Sequence, residues 1–198
     1  MPYSIYVPNR YILNVSTLGP FQNATSLHND RIGLFHGDIT TLSVDAIVNA
    51  ANLLLLGGGG VDGAIHRAAG PKLLRECRTL HGCPTGSAKI TNAYDLPCKK
   101  VIHAVGPIYN VNDPADSEIA LRGCYRSSLE LAVRHNLKTI AFSAISTGVY
   151  RYPTADAAHV ACDTVREFMD SNDGPKLDKV IFVTFEEKDA RSYNLLLP

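Results

Sequence analysis

Apolar positions follow two rhythms along this chain. Short, nearly unbroken apolar runs alternate with longer stretches in which aliphatic side chains recur every three or four residues. The first rhythm marks buried strands and the second marks amphipathic helices. Strands are expected at 31–36, 44–50, 87–91, 100–105, 139–142 and 179–185. A helix is expected to start at Asp62 and stop at Gly70-Pro71, a second to span 71–80, with Pro71 near its first position and Gly82 beyond its end. The 117–135 segment carries a 3.6-residue stripe of Leu121, Cys124, Tyr125, Ser128, Leu129, Ala132 and Val133. The 153–170 segment repeats this with Ala158, Ala161, Val165, Phe168 and Met169, and Asn172-Asp173-Gly174-Pro175 ends it. A short helical tail follows the last strand. Strands and helices thus alternate, which predicts a three-layer α/β/α sandwich around a central mixed, mainly parallel sheet of about six strands. Residues 1–30 break the rhythm. They mix Tyr, Asn, Ser and Pro with isolated aliphatics, and are expected to form an N-terminal extension packing on a domain that spans 31–198.

The polar and glycine-rich segments fall after the C-terminal ends of predicted strands: Gly37-Asp38, the stretch from Asn49 to Asp62, and Ser143 to Tyr150. In open α/β sheets ligands bind at that edge, so three loops converge on one crevice. The central stretch is the most unusual. Ala46-Ile47-Val48 leads into Asn49, Ala50, Ala51 and Asn52, then four leucines, then Gly57-Gly58-Gly59-Gly60-Val61-Asp62 and a helix. Four consecutive glycines are costly to order, and no packing need asks for them. They expose backbone N–H groups just before a helix N-terminus, where an anion such as a phosphate is favoured. The run could instead be a flexible linker, but it lies between a strand and a helix rather than between domains. No Gly-Lys-Ser/Thr follows it, so it is not a Walker A loop.

Composition narrows the field. The 198 residues suit one domain, and 45% are apolar. Lys+Arg and Asp+Glu balance at 19 each, which argues against a general nucleic-acid binder while leaving room for a nucleotide held by backbone amides. No apolar run has the length of a membrane span, and Met1 to Tyr6 shows no secretory signal. Five cysteines, Cys77, Cys83, Cys98, Cys124 and Cys162, form no CxxC pair and suit a reducing compartment. An intracellular protein, cytoplasmic or nuclear, is therefore expected, with no membrane association. Cys77, His81 and Cys83 are close enough to raise zinc, yet lack a fourth ligand, so no metal is expected. Cys124 and Cys162 sit on apolar stripes, and Arg75 and Arg78 read as a solvated face.

Gly37-Asp38-Ile39-Thr40, Asp45 to Asn52, Gly57 to His66, and Ile145-Ser146-Thr147-Gly148-Val149-Tyr150 together resemble a macrodomain. The similarity is greatest to the MacroD-type branch, whose members bind ADP-ribose and hydrolyse its linkage to proteins. It covers about residues 31–190, and four motifs in order make it specific. The resemblance implies that Asp38 accepts from the adenine amino group and that the Ile39 backbone helps place the ring. It places Asn49 and Asn52 near the distal ribose. It has the loops Gly57, Gly58, Gly59, Gly60, Val61 and Ser146, Thr147, Gly148, Val149, Tyr150 close on the diphosphate and that ribose. Asp62 takes the place of the catalytic aspartate, which in the family can share its work with a substrate phosphate, and His66 is its neighbour. Three positions depart from the pattern: Arg151 stands where glycine is usual, Ser87 where glutamate is common, and Ser143 where proline or another small residue is common. These bear on substrate preference.

The chemistry also follows from the residues. Asp62 sits at a helix N-terminus, where the dipole favours its charged form. A carboxylate there can orient or deprotonate water, worth roughly 10²- to 10⁴-fold in rate. His66 lies at i+4 and faces the same way. Asn52 can donate and accept at ribose hydroxyls without adding charge. Blander readings stay open at this point: Asp62 as a plain dipole residue, His66 as a packing or capping histidine, Asp38 as a turn residue. The expected function is a metal-independent hydrolase, with no cofactor, that removes mono-ADP-ribose from acidic side chains of proteins and also deacetylates O-acetyl-ADP-ribose. Its partners would be ADP-ribose and mono-ADP-ribosylated proteins, and the neutral charge favours a monomer. The alternatives are a non-catalytic ADP-ribose reader and an ADP-ribose 1″-phosphate phosphatase.

Overall fold

The structure is a computed structural model that describes residues 13–14, 28 and 30–197. Most of the expected 1–30 extension lies outside the described residues. Within it, strand β1 (Leu13–Asn14) pairs in parallel with β3 (Leu42–Ser43). His28 Nε2 lies 2.6 Å from Asp170 Oδ1.

The main sheet holds β2 (Ile32–His36), β4 (Ala46–Ala50), β5 (Ser87–Asn92), β6 (Lys100–Val105), β7 (Thr139–Ser143) and β8 (Lys179–Thr184). Their spatial order is β2-β8-β7-β4-β6-β5, all parallel except the antiparallel edge strand β5. Period-two alternation sorts side chains between two cores. Ala46, Val48, Ile102, Ile140, Phe142, Val180 and Phe182 face one side. Ile47, Val101, Ala141, Ile181 and Val183 face the other. The first core is closed by α3 (Pro114–Arg134), α4 (Thr154–Asp170) and α5 (Glu187–Leu196); the second by α1 (Gly60–Ala69) and α2 (Pro71–Thr79). Both faces of a parallel sheet must be covered, and these two helical layers cover them. This is the three-layer sandwich expected.

The boundaries match the hydrophobic pattern to within a few residues. α3 starts earlier than 117 because Asp113 caps it, accepting from Asp116 N at 3.1 Å, and Pro114 occupies a first-turn position that needs no N–H donor. One polar contact fixes the opposite edge of the sheet. Asp45 Oδ2 accepts from Lys138 N at 2.6 Å and Thr139 N at 3.0 Å, and Lys99 Nζ lies 2.6 Å from Asp45 Oδ1. Burial alone would raise the Asp45 pKa, but the hydrogen bonds from Lys99, Lys138 and Thr139 hold it below its ordinary value. No helix among the described residues is long and apolar enough to cross a membrane.

Candidate functional site

The crevice lies beyond the C-terminal ends of β2, β4 and β7. β4 delivers Asn49, fully buried, and then turns at Asn52. Asn52 Oδ1 accepts from Leu54 N at 3.1 Å and Leu55 N at 3.2 Å, while its Nδ2 donates to Gly57 O at 2.9 Å. Asn52, expected at the ribose hydroxyls, is thus committed to shaping the loop, with one amide hydrogen left over. Leu55 drops into the core, whereas Leu53, Leu54 and Leu56 stay exposed. Gly57 has φ 83° and faces the His66 ring, where an added Cβ would meet it at 3.5 Å. A Cβ on Gly63 would come 2.5 Å from Gly58 O, so only glycine lets the loop lie against the first turn of α1.

Asp62 is in that first turn and is buried. Asn49 Nδ2 donates to Asp62 Oδ1 at 2.7 Å, and His66 Nε2 lies 3.4 Å from the same oxygen. Burial pushes the Asp62 carboxyl above its ordinary pKa, and the Asn49 hydrogen bond and the His66 charge only partly oppose it. The direction is opposite to that expected from the helix dipole alone. A raised carboxyl is a stronger base once ionised.

Behind Asp62 stands His103, which the sequence reading did not single out. It is fully buried on β6, directly opposite Asn49 in the β4–β6 register. Asn49 Nδ2 lies 3.2 Å from His103 Nδ1, and His103 Nε2 lies 3.0 Å from Thr91 Oγ1 and 3.6 Å from Cys77 Sγ. Asn49 Nδ2 has two hydrogens, one for Asp62 and one for His103. His103 Nδ1 is therefore the acceptor and Nε2 carries the ring hydrogen toward Thr91. Burial, with His66 adding to it, lowers the His103 pKa to about 3, so the ring is neutral. A histidine in the otherwise apolar run Val101-Ile102-His103-Ala104-Val105 was the available signal.

The second loop follows β7. Ser146 has φ 67° and is buried; its carbonyl accepts from Tyr152 N at 3.0 Å, and Arg151 N donates to Gly148 O at 3.0 Å. Tyr109 N donates to Tyr150 O at 2.9 Å. Val149 is almost fully exposed at the rim. Arg151 has φ 58° and an exposed side chain. A left-handed residue there accounts for glycine being usual at that position.

The third element is the turn after β2. Asp38 Oδ1 accepts from Thr40 N at 2.9 Å and Thr40 Oγ1 at 2.7 Å, which leaves Oδ2 for a ligand. Ile39 is buried beneath it. Gly37 N donates to Thr184 O at 2.9 Å, which brings Phe185, 77% exposed, to the same end of the crevice. Phe185 offers a flat apolar face beside an acceptor, and it too escaped the sequence reading. β2 and β4 are three strand gaps apart, about 14 Å, so Asp38 and Asp62 mark the ends of an elongated groove.

The sequence-adjacent trio Cys77, His81 and Cys83 is not assembled. His81 is exposed with φ 54°, beyond the end of α2, and the Cys83 thiol donates to Pro84 O. Ser87 contacts Cys83, and Ser143 is buried with no hydrogen-bond partner for its hydroxyl among the described residues.

Residues 48–161 match the Macro domain family. ADP-ribose glycohydrolase MACROD1 of Rattus norvegicus is 56% identical over 171 residues, 86% of this chain and 66% of the relative. ADP-ribose glycohydrolase MACROD2 of Xenopus laevis is 56% identical over 164 residues, 83% of this chain but 39% of the relative. The chain therefore spans less than two thirds of either of these relatives. The crystal structure of a Trypanosoma brucei macrodomain in complex with ADP-ribose superposes with a TM-score of 0.86 at 42% identity, covering 99% of this chain and 80% of that one. With the family matching more than half of its length, the chain belongs to the Macro domain family.

Proposed function

We propose that this protein is a mono-ADP-ribosyl hydrolase that releases ADP-ribose from acidic side chains of modified proteins, and that it also deacetylates O-acetyl-ADP-ribose. The observation that carries this reading is the Asp62 carboxyl, held by Asn49 at 2.7 Å directly beneath the glycine loop. A site that only binds ADP-ribose has no need of a buried, basic carboxyl at that point. Two relatives named ADP-ribose glycohydrolases and a relative crystallised with ADP-ribose support it.

The adenine lies between the Asp38 carboxylate and the Phe185 ring. The diphosphate lies across the N-terminus of α1, where the Gly57 to Gly60 backbone and the Ser146 to Tyr150 backbone supply N–H donors. The distal ribose then falls over Asp62. Ionised Asp62 takes a proton from water, the water oxygen bonds to the anomeric carbon, and the bond from that carbon to the protein carboxyl breaks. The protein regains a free carboxylate and ADP-ribose leaves. In the acetyl ester the same water attacks the acyl carbon, the bond from that carbon to the ribose oxygen breaks, that oxygen takes the proton back from Asp62, and acetate and ADP-ribose leave. His66 steadies the Asp62 charge as it forms and disperses.

The test is ADP-ribose release from a glutamate-linked mono-ADP-ribosylated protein in EDTA, wild type against Asp62→Ala. Release by the wild type and its loss in a variant that still binds ADP-ribose is the expected result. Binding without release in both would make the protein a reader, and phosphate release from ADP-ribose 1″-phosphate would make it a phosphatase.

A further inference from the structure

Beneath the catalytic carboxyl lies a set of groups of which the hydrolase reading uses only His66. His66, Cys77 and His103 come from α1, α2 and β6, and a ring nitrogen of each histidine and the Cys77 Sγ all lie within 4.8 Å of one another. Cys77 Sγ is 3.6 Å from His103 Nε2. Asp62 Oδ1 is 3.4 Å from His66 Nε2. A tetrahedral zinc ion with Zn–S about 2.3 Å and Zn–N about 2.05 Å requires an S···N edge of about 3.6 Å. The Cys77–His103 edge has that length. His66 Nε2 is buried and has no hydrogen-bond partner among the described residues.

We propose that His66, Cys77 and His103 form a site for a borderline-soft divalent metal, zinc foremost, with solvent completing the shell, and that its occupancy switches hydrolysis off. Two imidazoles and a thiolate suit zinc, and they do not suit magnesium or calcium, which take oxygen ligands. Binding forms the Zn–S bond as the Cys77 S–H bond breaks, and that proton leaves to solvent. His103 must offer Nε2, so its hydrogen moves to Nδ1. The Asn49 amide can turn over to receive that hydrogen with Oδ1, an atom that has no partner among the described residues. The turn replaces the Asn49 donor 2.7 Å from Asp62 with the amide oxygen, while the metal draws His66 away from the carboxyl, and the base is displaced from its position. The ion enters past Gly57, since His66 is the one member not fully buried. The inhibitory half of the proposal rests on the hydrolase reading; the binding half does not.

Metal-stripped protein is titrated with Co²⁺, and Zn²⁺ is then added to displace it. One cobalt per chain, with a thiolate charge-transfer band and the visible bands of tetrahedral cobalt, is expected. Cys77→Ser should lose the thiolate band and Cys83→Ser should keep it; Cys77→Ala serves if the serine variant does not fold. ADP-ribose release is measured in parallel. Zinc should inhibit the wild type, EDTA should restore it, and the Cys77 variant should stay active without zinc. Its zinc sensitivity should fall by at least the ~10- to 100-fold that even loss of an outer-shell partner produces. Absence of the thiolate band, or its survival in the Cys77 variants, overturns the site. Full-rate hydrolysis at saturating zinc overturns the switch. Metal binding without any hydrolysis leaves the site standing and removes the hydrolase reading instead.

Discussion

Asn49 and Asp62 meet through one hydrogen bond of 2.7 Å, from a fully buried amide on β4 to a buried carboxyl on the first turn of α1. That bond is what offsets burial and keeps the Asp62 pKa from rising further. Asn49→Ala removes it. The acidic limb of kcat/KM, which tracks Asp62 ionisation, should move to higher pH, and kcat should fall more than KM rises. A pH–rate profile of wild type and variant checks this. An unmoved limb would mean that another group titrates there.

Asp62 also bears on stability. Its folded pKa is raised, so the stability linked to it is fully present below the unfolded value, about 3.9, and is lost as pH rises through the folded value. Asp62→Asn abolishes that loss. The variant and the wild type should unfold at similar urea concentrations at acidic pH. At neutral pH the inactive variant should be the more stable of the two.

Much of this was open to a reader of the sequence. Asp62 and His66 are an i, i+4 pair on one helix, and Asn49 closes the strand that leads to it, so local spacing suffices to gather them. His103 and Thr91 could not be gathered that way. His103 reaches Asn49, and Thr91 reaches His103, only because β6 lies between β4 and β5, and the strand order is set by the packing of all six strands. Cys77, His81 and Cys83 illustrate the converse: neighbours in sequence, they are separated because α2 ends at Thr79 and the chain turns His81 out to solvent. Asn52 has the right type and place for a ligand contact, but its side chain spends its bonds on Leu54, Leu55 and Gly57, which only coordinates reveal.

Phe185 carries a prediction about the other end of the groove. It is 77% exposed, so truncation to alanine should change stability by less than about 0.5 kcal/mol. Stacking of a base on an aromatic ring contributes roughly 1–3 kcal/mol. Phe185→Ala should therefore weaken ADP-ribose binding by that amount, seen by calorimetry, with kcat at saturating substrate little changed.

Asp45 ties β4 to β7 at the edge of the sheet away from the crevice. Its folded pKa is lowered, so its contribution is present above the unfolded value and is lost as pH falls through the folded one. Asp45→Ala should cost roughly 1.5–3 kcal/mol at neutral pH, the range for hydrogen bonds to a charged group. The deficit should narrow below about pH 4. Denaturant unfolding across that range decides it, and activity of the folded variant should be unaffected.

Gly63 separates loop geometry from chemistry. It is next to Asp62 yet contributes no functional group. A Cβ there would come 2.5 Å from Gly58 O and also 3.1 Å from an Arg67 nitrogen. The arginine end can swing away, but the Gly58 carbonyl is backbone, so the glycine loop itself must move. A shift of about 1 Å in a positioned group can cost ~10²-fold in rate. Gly63→Ala should therefore stay folded, keep Asp62, Asn49 and His66, and lose about two orders of magnitude in kcat. Its acidic pH limb should be that of the wild type, because the environment of the carboxyl is retained. Wild-type turnover in Gly63→Ala would show that the loop does not need to rest on α1, and the close approach of Gly58 to the helix would then have no part in placing the substrate over Asp62.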